Sequence, residues 1–302
     1  MPDAMQKVIM AARARQAREG RRGLKKRPPV WLRPDGVQRD YMRALLEYVS
    51  DVRERTRNVL VSALPRILAE AGQRNDGTRL DDWPSEIERL IESLTVYGER
   101  RAQQVDPRIY AGRISDFNAA QRNQIIRSVL GVDVIASEPW MADMLASWAA
   151  ENRRLIRSIT SDSLTQIDGM VQRGVRGGEG IDQLTSKIMD RFGVAESRAR
   201  LIARDQTGKL NSQLTEERQE SLGVTQYTWR NVDDERVRGN PGGLYPESEF
   251  NHWSREGRVY SWDSPPADGH PGIPIQCRCY AEPVLDHLIE AADEQNPAMV
   301  AG

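Results

Sequence analysis

The hydrophobic period of this chain changes at Gly223, and that change limits the fold more than any other feature. From Gln38 onward, Tyr41, Leu45, Tyr48, Val52, Val59, Ala63 and Ile67 recur mostly at three-, four- and seven-residue spacings, the period of one helix face. Pro65 is expected to kink or end that helix, because proline lacks the N–H and crowds the carbonyl four residues back. A loop, "GQRNDGTRLDDWP", separates it from a second helix opened by Trp83, Pro84 and Ser85 and running to about Val105. A third helix is predicted from about Asp116 to Leu130, stopped by Gly131. A fourth starts after Pro139 and carries Met144, Leu145, Trp148, Leu155, Ile156, Ile159, Leu164, Ile167 and Val171 on one stripe. The glycines of "RGVRGGEG" at 173–180 break it. "GIDQLTSKIMDRFG" then reads as a short helix, and the stretch from Val194 as a long one that Gly223 terminates.

After Gly223 the residues alternate in short runs rich in β-formers. "VTQYTWR", "GRVYSW" and "QCRCYAEPV" are three candidate strands joined by loops of Gly, Pro, Asp and Asn. The predicted fold class is therefore α+β: a mostly helical N-terminal region, then a small α+β domain with two helices and a short irregular antiparallel sheet. The domain limits that follow are a basic flexible arm over 1–34, a helical domain over 35–175, an α+β domain over 176–288 and a tail over 289–302.

Charge distribution supports the first of those limits. The whole chain has a net charge of −1, yet residues 1–33 hold ten bases against two acids, a net +8 that leaves about −9 for the rest. Without a long apolar periodicity and ending in prolines, the segment reads as a flexible tail, either solvated or ordered by a partner. Arg13, Arg15, Arg18, Arg21, Arg22, Lys25, Lys26 and Arg27 are its candidate DNA-binding residues, since clustered bases gain free energy by releasing counterions from nucleic acid. No run approaches the roughly 20 apolar residues that span a bilayer, and the arm lacks the apolar region of a secretory signal. A soluble, intracellular protein with reduced thiols and no membrane partner is expected.

The chemistry-bearing residues gather near the C-terminus. Two of the three histidines, His252 and His270, and both cysteines, Cys277 and Cys279, fall within 28 residues, alongside Asp233, Asp234, Arg236 and Arg238. On a strand, side chains two apart face the same way, so the two thiols would share a face opposite Arg278. One reading joins Cys277 and Cys279 to His252, His270 or Asp234 around a structural zinc, which prefers sulfur and imidazole nitrogen. A second makes the cysteines small buried hydrophobes anchoring the last strand, so that no cofactor is held. A redox role is a third. His252 following Asn251 also raises a metal-dependent nuclease or hydrolase using His252, Asp234, Cys277 and Cys279.

Five ordered stretches, "LIARDQTGKLN", "YTWR", "DERVR", "HWSREGRVYSWDSPPADGHPG" and "IQCRCYAEPV", resemble the minor head, or head-morphogenesis, proteins of tailed phages, the family of the phage Mu F protein, over about residues 195–285. The motif positions are Arg204, Asp205, Trp229, Asp234, Val237, Arg238, His252, Gly257, Trp262, Asp263, Pro271, Gly272, Cys277, Arg278 and Cys279. The resemblance implies a non-enzymatic virion component near the portal vertex, in the host cytoplasm during assembly. Its implied partners are the portal protein and capsid interior, with several copies per vertex and phage DNA in reach. The chain departs from the family pattern by placing thirteen residues between Arg238 and His252. Within that insertion Leu244, Tyr245 and Phe250 are expected to pack onto their own domain, with docking on a neighbour as the alternative. From the residues themselves, Arg238 is expected to pair with Asp234, and Arg204 and Asp205 to brace the same loops.

Overall fold

The computed structural model describes residues 3–19, 29–72, 82–134 and 136–293. It is α+β, with eight α-helices and three short strands among these residues: α1 Asp3–Glu19, α2 Asp35–Thr56, α3 Ser62–Gly72, α4 Trp83–Gln104, α5 Pro107–Leu130, α6 Met141–Arg176, α7 Ile181–Ser221, β1 Gln226–Arg230, β2 Val259–Ser261, β3 Tyr280–Pro283 and α8 Asp286–Asp293. None of these helices is long and apolar enough to cross a membrane.

Contacts divide the chain into two units, one made of Gln38–Tyr110 and Leu145–Arg204, the other of Met1–Val37, Ala111–Met144 and Asp205–Gly302. The limit placed at 175 is instead a turn inside the first of these. There Gly178 takes a φ of +74°, while Glu179 N–H donates to Gly174 O at 2.9 Å and Gly178 N–H to Val175 O at 3.2 Å. That pair of bonds caps α6 and lets the chain double back as α7.

The first unit is helical. Tyr41, Leu45, Tyr48, Val52, Leu64 and Ile67 are all buried, as the helical spacing requires. Pro65 does not end the helix: a π-helical turn at Arg57–Val61 precedes it, and α3 runs through it. The wider turn ends at residue 61, whose carbonyl is the one a proline at 65 would otherwise crowd. The core also takes in polar atoms in matched pairs, with Tyr41 Oη donating to Asn152 Oδ1 at 2.9 Å and Tyr48 bonded to Thr160.

The second unit contains the sheet. Its order is β2-β1-β3, antiparallel throughout, with Tyr227 opposite Tyr260 on one side and Pro283 on the other. Alternation along β1 buries Tyr227 and Trp229 and leaves Arg230 to pair with Glu282 and Glu256. Helix α7 feeds this sheet as a single rod, correcting the expectation of two helices; Gly193 lies within it and interrupts nothing. It ends where Gly223 N–H donates to Glu220 O at 2.8 Å and Val224 N–H to Gln219 O at 3.0 Å, with Gly223 at φ +74°. Gln219 then ties helix to sheet, donating to Ala281 O at 3.1 Å and accepting from Trp262 Nε1 at 3.1 Å.

A second cluster in this unit revises the basic arm. Its first half is α1, whose Met5, Val8, Ile9 and Ala12 are buried with Trp31, Ile125, Val129, Leu222, Leu285 and Leu288. Those four residues stand at the spacings of one helix stripe, a pattern short enough for the neighbouring bases to mask.

Candidate metal centre

The centre is built by three loops closing on the buried face of β1. Trp229, on that face, lies edge-on to the His252 ring with centroids 5.1 Å apart, and Arg255 covers it at 4.8 Å. His252 is fixed by the turn that follows it: Trp253 N–H donates to Arg238 O at 2.9 Å, and Asn251 Oδ1 accepts from Ser254 N–H at 2.8 Å. The cysteines come from the segment entering β3, which does not begin until Tyr280, so both thiols lie just before the strand expected to contain them.

Helix α7 sets the height of that segment. Ser212 Oγ donates to Pro271 O at 2.6 Å, and Asp205 Oδ1 accepts from Gln276 N–H at 3.1 Å, holding a residue at φ +58°. Gly272, at φ +90°, has Gly208 O and Ser212 so near that a Cβ would lie 3.0 Å from Ser212 Cβ. Glycine is required at 272 by both conformation and space. The "QTG" and "HPG" motifs are thus two sides of one contact.

The result gathers three donors. His252 Nδ1 lies 3.5 Å from Cys277 Sγ and 3.7 Å from Cys279 Sγ, and all three ligand atoms fall within 4.8 Å of one another. All three residues are buried, and neither cysteine is in a disulfide. Behind the ring, His252 Nε2 donates to Asp268 Oδ2 at 2.7 Å, and Arg255 donates to Asp268 Oδ1 at 2.6 Å. Gly272 N–H donates to Cys277 Sγ at 3.4 Å, and Cys279 Sγ donates to Asn231 Oδ1 at 3.2 Å.

These contacts polarise the group. Burial opposes charge on His252, yet its bonds to Cys277 and Asp268 outweigh burial and hold the imidazole above its ordinary value. Burial likewise pushes the Cys277 thiol up, but Cys279, His252 and the Gly272 N–H bring it well below the usual thiol range. Cys279 goes the opposite way, raised by the neighbouring Cys277 sulfur and by burial. Asp268 resists burial and stays below the ordinary carboxylate value through His252 and Arg255.

Other expected site residues lie elsewhere. His270 accepts or donates at Nδ1 with Tyr227 Oη at 2.9 Å, and its Nε2 is 3.7 Å from Glu216, whose carboxyl is pushed up to about 7 by burial and by Glu220 and Glu217. Asp234 forms an ion pair with Arg278 rather than with Arg238. Arg238 instead donates to Ile275 O at 2.8 Å and lies 3.9 Å from Asp268. Trp262 is buried against Tyr227, whereas Asp263 is exposed and its N–H donates to Ser261 Oγ. Asp205 braces the cysteine turn at Gln276 rather than the Asp234–Arg238 loop, while Arg204, the residue before it, is half-buried on α7. In the insertion, Leu244 and Tyr245 are 56% and 55% exposed and Phe250 half-buried, so the first two do not pack onto their domain.

Of the candidate DNA-binding residues, Arg13 donates to Ala291 O of α8, and Arg15 is half-buried beside Gly131. The Arg18 side chain and Arg21, Arg22, Lys25, Lys26 and Arg27 lie outside the described residues. Sequence reasoning missed Asp268, Arg255 and Asn231. Asp268 stood inside the quoted "SPPADGHPG", but its partner is sixteen residues away, a distance that follows no helix or strand period.

Residues 165–282 match the family model described as Phage Mu protein F like protein. A protein of Haemophilus influenzae, described as an uncharacterized protein, is 33% identical over 174 residues, which cover 56% of this chain and 36% of that one. The match therefore spans about a third of that relative's length. No solved structure matches.

Proposed function

We propose that this chain, whose residues 165–282 form a phage Mu F-like segment, is a minor head protein of a tailed phage acting in head morphogenesis. On this reading it sits in the virion near the portal vertex, in several copies, after assembly in the host cytoplasm. The observation that supports the reading is the use made of the matched segment. Asp205, Arg238, Asp234, Arg278, Trp229 and Gly272 each fix a loop or strand of one small module. A module whose loops are pinned in this way presents a fixed surface to a partner. Phage DNA is the partner of the basic residues before Pro34, through counterion release.

An enzymatic second reading is favoured by one observation, the placement of His252 between a thiol and a carboxylate. Its nuclease form loses Asp234, which is engaged by Arg278. The remaining sulfur and nitrogen donors also suit zinc better than the hard Mg²⁺ or Mn²⁺ that nucleases use. The experiment is co-expression of the full chain with the portal protein from the same genome, followed by affinity capture and size-exclusion chromatography. Co-elution is expected, with plasmid DNA left uncut in Mg²⁺ or Mn²⁺. Failure to associate with portal or heads, or metal-dependent cutting, would overturn the proposal.

A further inference from the structure

We infer that His252 Nδ1, Cys277 Sγ and Cys279 Sγ bind one zinc ion. The argument is geometric. Zinc–sulfur bonds of about 2.3 Å and zinc–nitrogen bonds of about 2.0–2.1 Å at tetrahedral angles put sulfur and nitrogen about 3.5 Å apart. The two distances in this chain are 3.5 and 3.7 Å. A hydrogen-bonded pair needs only one sulfur at that distance from the ring nitrogen. Here two sulfurs from one short segment share a single nitrogen, which a lone imidazole N–H or lone pair serves poorly and a metal ion serves well.

The surroundings supply what such a site requires. The Nε2–H of His252 donates to Asp268, leaving the Nδ1 lone pair aimed at the sulfurs, and Arg255 holds the carboxylate in turn. Gly272 N–H meets Cys277 Sγ, the kind of bond that steadies a thiolate ligand. Soft donors of this type select zinc over the hard alkaline-earth ions. Three protein ligands leave one tetrahedral position. Both cysteines line a small pocket of about 20 Å³ together with Arg33, Thr207, Asn211 and Ser212, room for one water at that fourth position. The inference does not depend on the head-protein reading; either can fail alone.

The test uses the full chain purified under reducing conditions with zinc supplied. Elemental analysis is expected to give one zinc per chain, released to a chromogenic chelator when a mercurial reagent blocks the thiols. Cobalt substitution is expected to give intense tetrahedral bands with thiolate charge-transfer absorption. Cys277→Ser and Cys279→Ser should each abolish the charge-transfer spectrum of a two-thiolate site, and His270→Ala should leave it intact. Asp268→Asn, which keeps all three ligands, should weaken zinc affinity about 10- to 100-fold, which keeps the idea testable if a cysteine variant fails to fold. A parent protein that binds neither zinc nor cobalt, or a cobalt spectrum unchanged in both cysteine variants, would overturn it. So would rapid alkylation of Cys277 by iodoacetamide that added zinc does not slow, the behaviour of a free nucleophilic thiol.

Discussion

Arg218 stands one turn after Leu214 on the buried stripe of α7, with buried Leu222 four residues on, just past the helix end, so the spacing calls for an apolar side chain. It is 2% exposed, and its guanidinium is fully used: Nε and Nη2 grip both oxygens of Glu138 at 2.8 Å, and Nη1 donates to Ser115 O and Asn118 Oδ1 at 2.9 Å. Arg122 meets the same carboxylate at 2.5 Å, and the two arginines hold Glu138 below its ordinary value although burial pushes it up. Arg218→Met should cost about 3–5 kcal/mol, since it leaves a buried carboxylate and two acceptors short of partners. Arg218→Lys should recover only part, because an ammonium cannot reproduce the two-pronged grip. Urea unfolding midpoints would show this, and a Met variant as stable as the parent would refute the network's role. The sequence does offer the anomaly, a base on an apolar stripe. It does not offer Glu138, eighty residues earlier, and the same limit hides Asp268 from His252. Long-range polar partners follow from the fold and have no period of their own.

At the scale of elements, legibility tracked the length of the apolar pattern. The stripes of α2, α4 and α6 are long, and their helices run where the spacing put them. Local breakers misled instead. Gly193 and Pro65 read as interruptions, yet tertiary packing carries the helix past one and a π-helical turn accommodates the other. Helix α5 begins nine residues before its expected start because Pro107 occupies the first turn, where a missing N–H costs nothing, and Asp106 accepts from Arg108 N–H at 3.0 Å. Helix α1 is the instructive case. Ten bases in 33 residues suggest a tail, but four apolar residues on one face of α1 are buried, and Arg13 donates to Ala291 O from the same helix. Ile9→Asp, which places a carboxylate in that contact, should destabilise by about 2–4 kcal/mol. Met10→Asp, at a position 67% exposed, should change stability by about 0.5 kcal/mol or less. Equal effects in chemical denaturation would mean that α1 is not held by its apolar face.

For the whole molecule, the two units differ from ordinary domains in how the chain passes between them. The limits fall at Val37, Tyr110, Met144 and Arg204, inside α2, α5, α6 and α7 respectively. Sequence reading sought a boundary among glycines, at 173–180, because linkers are commonly glycine-rich. Here every crossing falls within a helix, at Val37, Tyr110 and Met144 in a first turn and at Arg204 in mid-helix, and a continuing helix carries no compositional mark of a boundary. The consequence is testable by limited proteolysis, since proteases need several residues of extended backbone and helical segments deny it to them. Chymotrypsin should therefore spare Tyr110 and Met144, the two limits whose side chains it recognises, at low enzyme ratios. Among the described residues the preferred cut should fall after Leu244, which is exposed with Tyr245 in a loop of turns rather than in regular structure, whereas Pro246 protects the bond after Tyr245. Gly239 N–H to Tyr245 O and Leu244 N–H to Glu235 O are the backbone bonds that hold that loop. Gly239 has φ +76°, so Gly239→Ala strains the loop and cutting there should quicken. Mass spectrometry of the first fragments decides the matter: early cleavage after Tyr110 would show a boundary that opens, and resistance at 244–245 would show that the exposed loop is covered.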